Sequence, residues 1–294
     1  MCGIAVFKNV STNELCEELK ESWTMMDHRG TDSFGLLMVR SNGVVKMLKA
    51  LNSEDLLRKL KSTYKDDEFE LIVAHNRKAS IGSINLNLAH PVRIGNTIVI
   101  HNGTNSSIMN IVTDVESDTQ AIASVIDNRN NYFVKRYIDD WLLGSGVIIA
   151  YDVSRKKWLF WKDKTRPLVQ LISDNYYYSE PVKLGQKYRI IENTKSLVEK
   201  KNFNNLFKKG KRFSVDDLLY PGCCNTCRRS MLIDYVEEIE VPKSKFKSKR
   251  NSMEYIYGYG PYDYYGYGGE DIYLDYEEIC WECRVLGKNK KYKK

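Results

Sequence analysis

Two hydrophobic periods alternate along the first two hundred residues. Gly3-Ile4-Ala5-Val6-Phe7 is a short apolar run and reads as a buried strand. From Asn13 to Met26 the apolar positions Leu15, Leu19, Trp23 and Met26 recur every three to four residues, which predicts an amphipathic helix. Gly30, after Asp27-His28-Arg29, can end it. Two apolar runs, Gly35 to Arg40 and Val44 to Leu48, flank Ser41-Asn42-Gly43, a strong hairpin signal. Glu54 to Tyr64 reads as a helix. Leu71 to His75 reads as a strand that delivers the polar stretch Asn76 to Asn87 at its end. Thr97 to His101 is another strand, running into Asn102-Gly103. A helix is predicted from Asp118 to Ile126, capped by Ser117 or Asp118. Residues 146–161 read as a second hairpin, and Leu168 to Ile172 and Asn175 to Ser179 as short strands. Strand pairs alternating with helices predict antiparallel sheets covered by helices.

The character changes after about residue 200. Tyrosine and glycine dominate Tyr255 to Gly269, a stretch with few aliphatic residues that reads as a mobile loop. Tyrosines there can also stack on the bases of single-stranded nucleic acid. This divides the chain into a domain over 1–198 and an extension over 199–294. Cys224-Asn-Thr-Cys227 and Cys280-Trp-Glu-Cys283 have the spacing of one tetrahedral zinc site, with Cys223 competing for ligation. A redox pair or free thiols are the alternatives. The odd count of seven cysteines, five of them in the last quarter, suits a reducing, cytoplasmic setting better than a disulfide framework. No signal peptide is evident, and no apolar run approaches the roughly 20 residues of a membrane span. The formal net charge of +7 is partly local, in Lys243 to Arg250 and Lys288 to Lys294. Both runs read as solvated segments that can meet nucleic acid or an acidic partner.

The candidate chemistry begins at Cys2. The small side chain next to Met1 permits removal of the initiator, which would leave a thiol and a free α-amine on one residue. With pKa values near about 8.5 and 8, they can serve as nucleophile and base. Four further stretches stand in a fixed order: Arg29-Gly30-Thr31-Asp32-Ser33-Phe34-Gly35, then Ala74 to Gly82 with Ala89-His90-Pro91, then His101-Asn102-Gly103, then Ser117-Asp118-Thr119. Together with Cys2 they resemble the glutaminase domain of class II glutamine amidotransferases, the N-terminal-nucleophile (Ntn) group. The resemblance runs to about Leu184 and takes in Arg166-Pro167-Leu168 and Tyr178-Ser179-Glu180. It implies a four-layer αββα sandwich with two stacked antiparallel sheets. It also implies hydrolysis of the L-glutamine side-chain amide through a Cys2 thioester, with ammonia passed to an acceptor.

Amide hydrolysis at neutral pH needs a nucleophile, a proton shuttle and a hole for the oxyanion. Asn102 and Gly103 can supply the hole, through a side-chain N–H and a backbone N–H. Arg77 can fork onto the substrate α-carboxylate, and Asp118 can accept the α-ammonium. The resemblance gives these positions the same roles, and Arg29 a supporting one. His75, His90 and His101 read as structural hydrogen-bonders, Gly30 and Gly35 as turn glycines, and Cys16 as inert on its helix. Lys78 stands where synthase members often have Trp, Leu88 stands in an Asn position, Ser80 replaces Thr and Gln120 replaces Glu. No cofactor is implied for the glutaminase step. The roughly one hundred residues after the domain show no phosphate-binding glycine loop. The expected acceptor-aminating enzyme is therefore placed on a separate chain, as suits an accessory subunit from a small or viral genome. The rival reading is a degenerate Ntn scaffold acting as a zinc-containing module that binds nucleic acid or protein.

Overall fold

The computed structural model describes residues 2–65, 67–183 and 186–214. The first half of the chain forms β1 (Gly3–Ser11), α1 (Thr12–Met25), β2 (Ser33–Val39), β3 (Val45–Ala50), α2 (Ser53–Thr63), β4 (Glu68–Arg77), β5 (Val92–Ile94), β6 (Thr97–Asn102) and α3 (Asp118–Asp127). Then follow α4 (Tyr132–Trp141), β7 (Val147–Asp152), β8 (Lys157–Lys162), β9 (Val169–Leu171), β10 (Tyr177–Tyr178), β11 (Lys187–Ile191), β12 (Val198–Lys200) and β13 (Lys209–Ser214). They build an eight-stranded sheet, ordered β13-β11-β9-β10-β1-β4-β2-β3, and a five-stranded sheet, ordered β12-β8-β7-β6-β5. Every pairing among them is antiparallel.

Strand alternation sorts the side chains into layers. In β1, Ile4 and Val6 pack with Ile98, Ile100, Ile149 and Phe160 of the other sheet. Ala5 and Phe7 point the opposite way, into a cluster with Leu15, Leu19 and Trp23 of α1. On the far side, Val99, Ile148 and Ala150 lie with Ile122 and Ile126 of α3. Three apolar cores between four layers are the expected αββα sandwich. Each central strand is apolar on both faces, so it reads as a continuous run.

The predicted elements are present: β1 and β4 run longer than expected, and β9 and β10 are shorter. Ser11 and Glu14 form a capping box on α1. Ser117 caps α3, and Gln120 completes its box as a glutamate would. Gly43, with φ of 82°, turns the β2–β3 hairpin. Gly35 departs from expectation. It lies inside β2, where a Cβ would come 1.8 Å from the His90 carbonyl oxygen, so close approach between layers requires glycine there. Helix α4 escaped the pattern because its aromatic residues do not form a buried stripe. Tyr132 and Phe133 are exposed, and Ile138 is its one buried residue. Strand pairing also passes residue 198: β12 joins the smaller sheet and β13 edges the larger. The expected zinc ligands Cys224, Cys227, Cys280 and Cys283, the tyrosine-rich stretch and both basic runs lie outside the described residues. Among the described residues no His, Cys, Asp and Glu group is placed to hold a metal. No described helix is long and apolar enough to cross a membrane.

Candidate active site

The site forms where the two sheets end together. The β1–β4 register sets Gly3 opposite Asn76, which carries Cys2 beside the end of β4. The Lys78 N–H donates to Cys2 Sγ at 3.4 Å, and the thiol faces the Lys78 carbonyl at 3.6 Å. The Lys78 side chain itself is exposed. From the smaller sheet, β6 ends at Asn102. The Cys2 backbone N–H donates to Asn102 Oδ1 at 3.2 Å, so nucleophile and oxyanion-hole candidate touch across the sandwich. Gly103 follows, and a Cβ there would lie 1.9 Å from the Ser145 carbonyl oxygen. Only glycine lets this backbone sit so close.

Cys2, Arg77, Gly103 and Asp118 line one pocket, with a free volume of about 20 Å³, room for about one water. Arg77 is buried and donates to the carbonyls of Ile81 at 2.8 Å and Ser83 at 3.0 Å. Two of its five N–H groups thus hold the loop after β4, and the rest of the fork is left for other partners. Asp118 is the first residue of α3, where the helix dipole favours a carboxylate. Its oxygens accept the Asn105 N–H at 2.9 Å and the Thr119 N–H at 2.8 Å. Burial pushes the Cys2 thiol above its ordinary value, while the Lys78 N–H and the Arg77 charge oppose that rise. A thiol so placed needs a base at hand when it attacks.

Arg29 stands one step back. It pairs with Glu180 at 2.7 Å, and His28 Nε2 lies 3.1 Å from the other carboxylate oxygen. Burial alone would raise the Glu180 pKa. The Arg29 charge, helped by His28, outweighs that and holds it at about 2. Glu180 follows Ser179, so this pair anchors the chain next to the site.

Three buried histidines stand at the pocket, with His90 and His101 in its lining. The His75 and His90 rings stack at 4.0 Å, and the His90 and His101 rings lie parallel at 6.5 Å. Their partners fix the tautomers. The Ser145 carbonyl can only accept, so His101 Nε2 donates to it at 2.6 Å, and His101 Nδ1 accepts from Thr119 Oγ1 at 3.2 Å. His90 Nδ1 accepts the His101 backbone N–H, so His90 Nε2 donates to Thr119 Oγ1 at 3.1 Å. Burial lowers all three pKa values, that of His75 to about 3. His90 and His101 are neutral hydrogen-bonders tying β6 to α3, and His75 Nε2, donating to the His101 carbonyl at 3.1 Å, ties β4 to β6.

Two contributors were not singled out in the sequence. Ser179 Oγ accepts the Ile4 N–H at 2.8 Å and the Asn102 Nδ2–H at 3.2 Å, which sets which way the Asn102 amide faces. Asn76 donates to the Met26 carbonyl at 2.8 Å and the Gly30 carbonyl at 3.0 Å. Its side chain occupies the space a Cβ on Gly3 would fill, 2.0 Å from Oδ1. The glycine after Cys2 is the sequence trace of that packing. Ser179 left only its place in Tyr178-Ser179-Glu180.

No protein-family model matches the chain. It is similar to the glutamine–fructose-6-phosphate aminotransferase (isomerizing) of Sulfurisphaera tokodaii, 28% identical over 193 residues, 58% of this chain and 31% of that protein. The enzyme of the same name from Buchnera aphidicola is 30% identical over 173 residues, 52% of this chain and 27% of that protein. The chain thus matches less than a third of the length of these curated relatives. Among solved structures, the glutamine phosphoribosylpyrophosphate amidotransferase of B. subtilis is 15% identical and covers 68% of this chain and 49% of that one. The TM-score of that match is 0.45.

Proposed function

Starting from a chain that carries a class II glutamine amidotransferase domain of the Ntn type, we propose that it hydrolyses the side-chain amide of L-glutamine at Cys2. Removal of Met1 frees the Cys2 amine, which takes the thiol proton as sulfur attacks the amide carbon. The carbonyl oxygen becomes an oxyanion between the second Nδ2–H of Asn102 and the Gly103 N–H. The ammonium returns its proton to the leaving nitrogen, ammonia departs, and a Cys2 thioester remains. Water, deprotonated by the same amine, attacks the thioester and releases glutamate, regenerating the thiol. Arg77 holds the substrate α-carboxylate and Asp118 its α-ammonium. Arg29, through Glu180, keeps Ser179 in place. The ammonia passes to an acceptor-aminating enzyme, which we assign to a separate chain.

The observation that carries this reading is the 3.2 Å contact of the Cys2 backbone nitrogen with Asn102, beside a pocket lined by Arg77, Gly103 and Asp118. It is tested by intact mass before and after a glutamine-site affinity label such as diazo-oxo-norleucine, with glutamate release measured in parallel. Loss of Met1, one adduct on Cys2 and glutamate release are expected. A Cys2→Ala protein that still turns over glutamine would overturn the reading.

A further inference from the structure

A second region of the eight-stranded sheet gathers cations on one face. In β1, Lys8 shares the parity of Ile4 and Val6, and its ammonium lies over the Tyr177 ring at 4.7 Å and the Phe203 ring at 5.5 Å. It also reaches the Asn204 side-chain oxygen and lies 3.5 Å from Tyr177 Oη. In β11, Tyr188 and Ile190 pack under α1, so Arg189 between them points to the Lys8 face. Arg212 of β13 is directly opposite Arg189, and Lys209, beyond a shift in the β11–β13 register, is opposite Ile191, a residue of the inter-sheet core. Residues paired across a ladder share a face. Four cations, Lys8, Arg189, Lys209 and Arg212, therefore share one face of the sheet, with Lys209 and Arg212 exposed and Lys8 and Arg189 half-buried.

Lys8 and Lys209 are close enough for their charges to interact. Burial and the Lys209 charge bring the Lys8 pKa down to about 8, and Arg189 acts on the Tyr177 hydroxyl that Lys8 touches. Among the described residues none of the four has an ion-pair partner. Lysines on an edge strand commonly serve to block pairing with other chains. That accounts for Lys209 and Arg212 on β13, but not for Arg189 on an inner strand or for Lys8 at the centre of the sheet. A half-buried ammonium next to like charge costs stability that an anion would offset. Lys8 is six positions from Cys2, about 20 Å of extended strand, so this face is separate from the thiol pocket.

We propose that the Lys8, Arg189, Lys209 and Arg212 face binds phosphate groups, carried either by a nucleic-acid backbone or by a small phosphorylated molecule. The Asn204 amide and the Tyr177 hydroxyl add neutral hydrogen-bonding groups beside the cations.

The test uses the full chain and a double variant, Arg189→Gln with Arg212→Gln, which leaves β1 and the thiol pocket untouched. Circular dichroism and Tm in chloride establish that it folds. A labelled 20-nucleotide single-stranded RNA is titrated by anisotropy over a range of salt. Inorganic phosphate is scored separately by its effect on Tm, against chloride at equal ionic strength. If the ligand is nucleic acid, the variant binds RNA at least about 10-fold more weakly, and its salt slope falls by about 1.4 for two lost contacts. If it is a small phosphorylated molecule, phosphate raises the Tm of the parent and not of the variant. Indifference of both readouts to the substitutions overturns the proposal, including the case of an acidic protein partner.

Discussion

The eight-stranded sheet brings Cys2 and Arg77 to the pocket through backbone register, whereas the five-stranded sheet brings Asn102 and Gly103 through a lattice of side chains. On the first side, ladder pairs from Ser11 to Gly3, interrupted only at Asn9, place the thiol, and the backbone of Lys78 brackets it. On the second side, Ser179 fixes the Asn102 amide, while Thr119, His90 and His101 lock β6 to α3. A ladder tolerates loss of any one side chain. A buried polar lattice does not, because each member removed strands its partners. Substitutions on the first side should therefore remove chemistry and leave geometry; on the second, loss of Asn102 itself removes chemistry, and loss of the residues that hold it degrades geometry by steps.

The largest expected effect tests the first half of that contrast. Cys2→Ala should lower glutamate release at least about 1000-fold, since the covalent route is gone, yet leave Tm nearly unchanged. A large fall in Tm would mean the thiol is also a structural element. Next, Asn102→Ala should lower kcat about 100- to 1000-fold, about 3 to 4 kcal/mol, the usual cost of one oxyanion donor. Its KM for glutamine should change little. Arg77→Lys keeps the charge but loses the planar fork, so KM should rise about 10-fold or more with a smaller change in kcat. Equal losses in both would assign Arg77 to the transition state rather than to substrate binding.

Ser179→Ala is the sharpest probe of the lattice. It leaves Asn102 in place but frees its amide to turn, so kcat should fall about 10-fold with KM held. Ser179→Thr, which keeps the hydroxyl, should recover most of the loss. If both variants lose stability alone and not kcat, the Ile4 contact is what matters. The smallest effect concerns pH. Buried neutral His75, His90 and His101 have folded pKa values below 6.5, so the unfolded chain takes up their protons first as pH falls. Their stabilising contribution is full above that value and is lost on acidification toward about 3. Glu180, depressed to about 2, adds loss of the same sign below about 4.5. Between pH 7 and 6.5 the three histidines together cost less than about 1 kcal/mol. Thermal melts across that interval should steepen below it, and His90→Gln should flatten them.

Much of this architecture is legible in the chain because its signals are local. The 3.6-residue stripe of α1, the Asn42-Gly43 turn and the Ser117 cap are each decided within a few residues. Helix α4 was not legible, because Phe133, Tyr137 and Trp141 pack on one another and Tyr132 is exposed, which blurs its buried stripe. Gly35 looked like a turn because sequence separates it from His90 by two strands, and only stacking of layers brings that carbonyl to it. Strands β12 and β13 were missed for a related reason. Their few residues are mostly polar, and partners far back in the chain define them.

The candidate site divides along the same line. The residue types for amide cleavage, and their order from Cys2 to Asp118, are properties of the chain, since chemistry depends on functional groups and sequence prints those directly. Which groups touch is settled only where the ends of the two sheets meet. Ser179 and Asn76 matter because of what lies across from them, and the basic face exists because alternation and register bring Lys8, Arg189, Lys209 and Arg212 to one side. Local periodicity determined the elements, and packing between distant strands determined the site, because contact across two sheets leaves no short-range trace in the sequence.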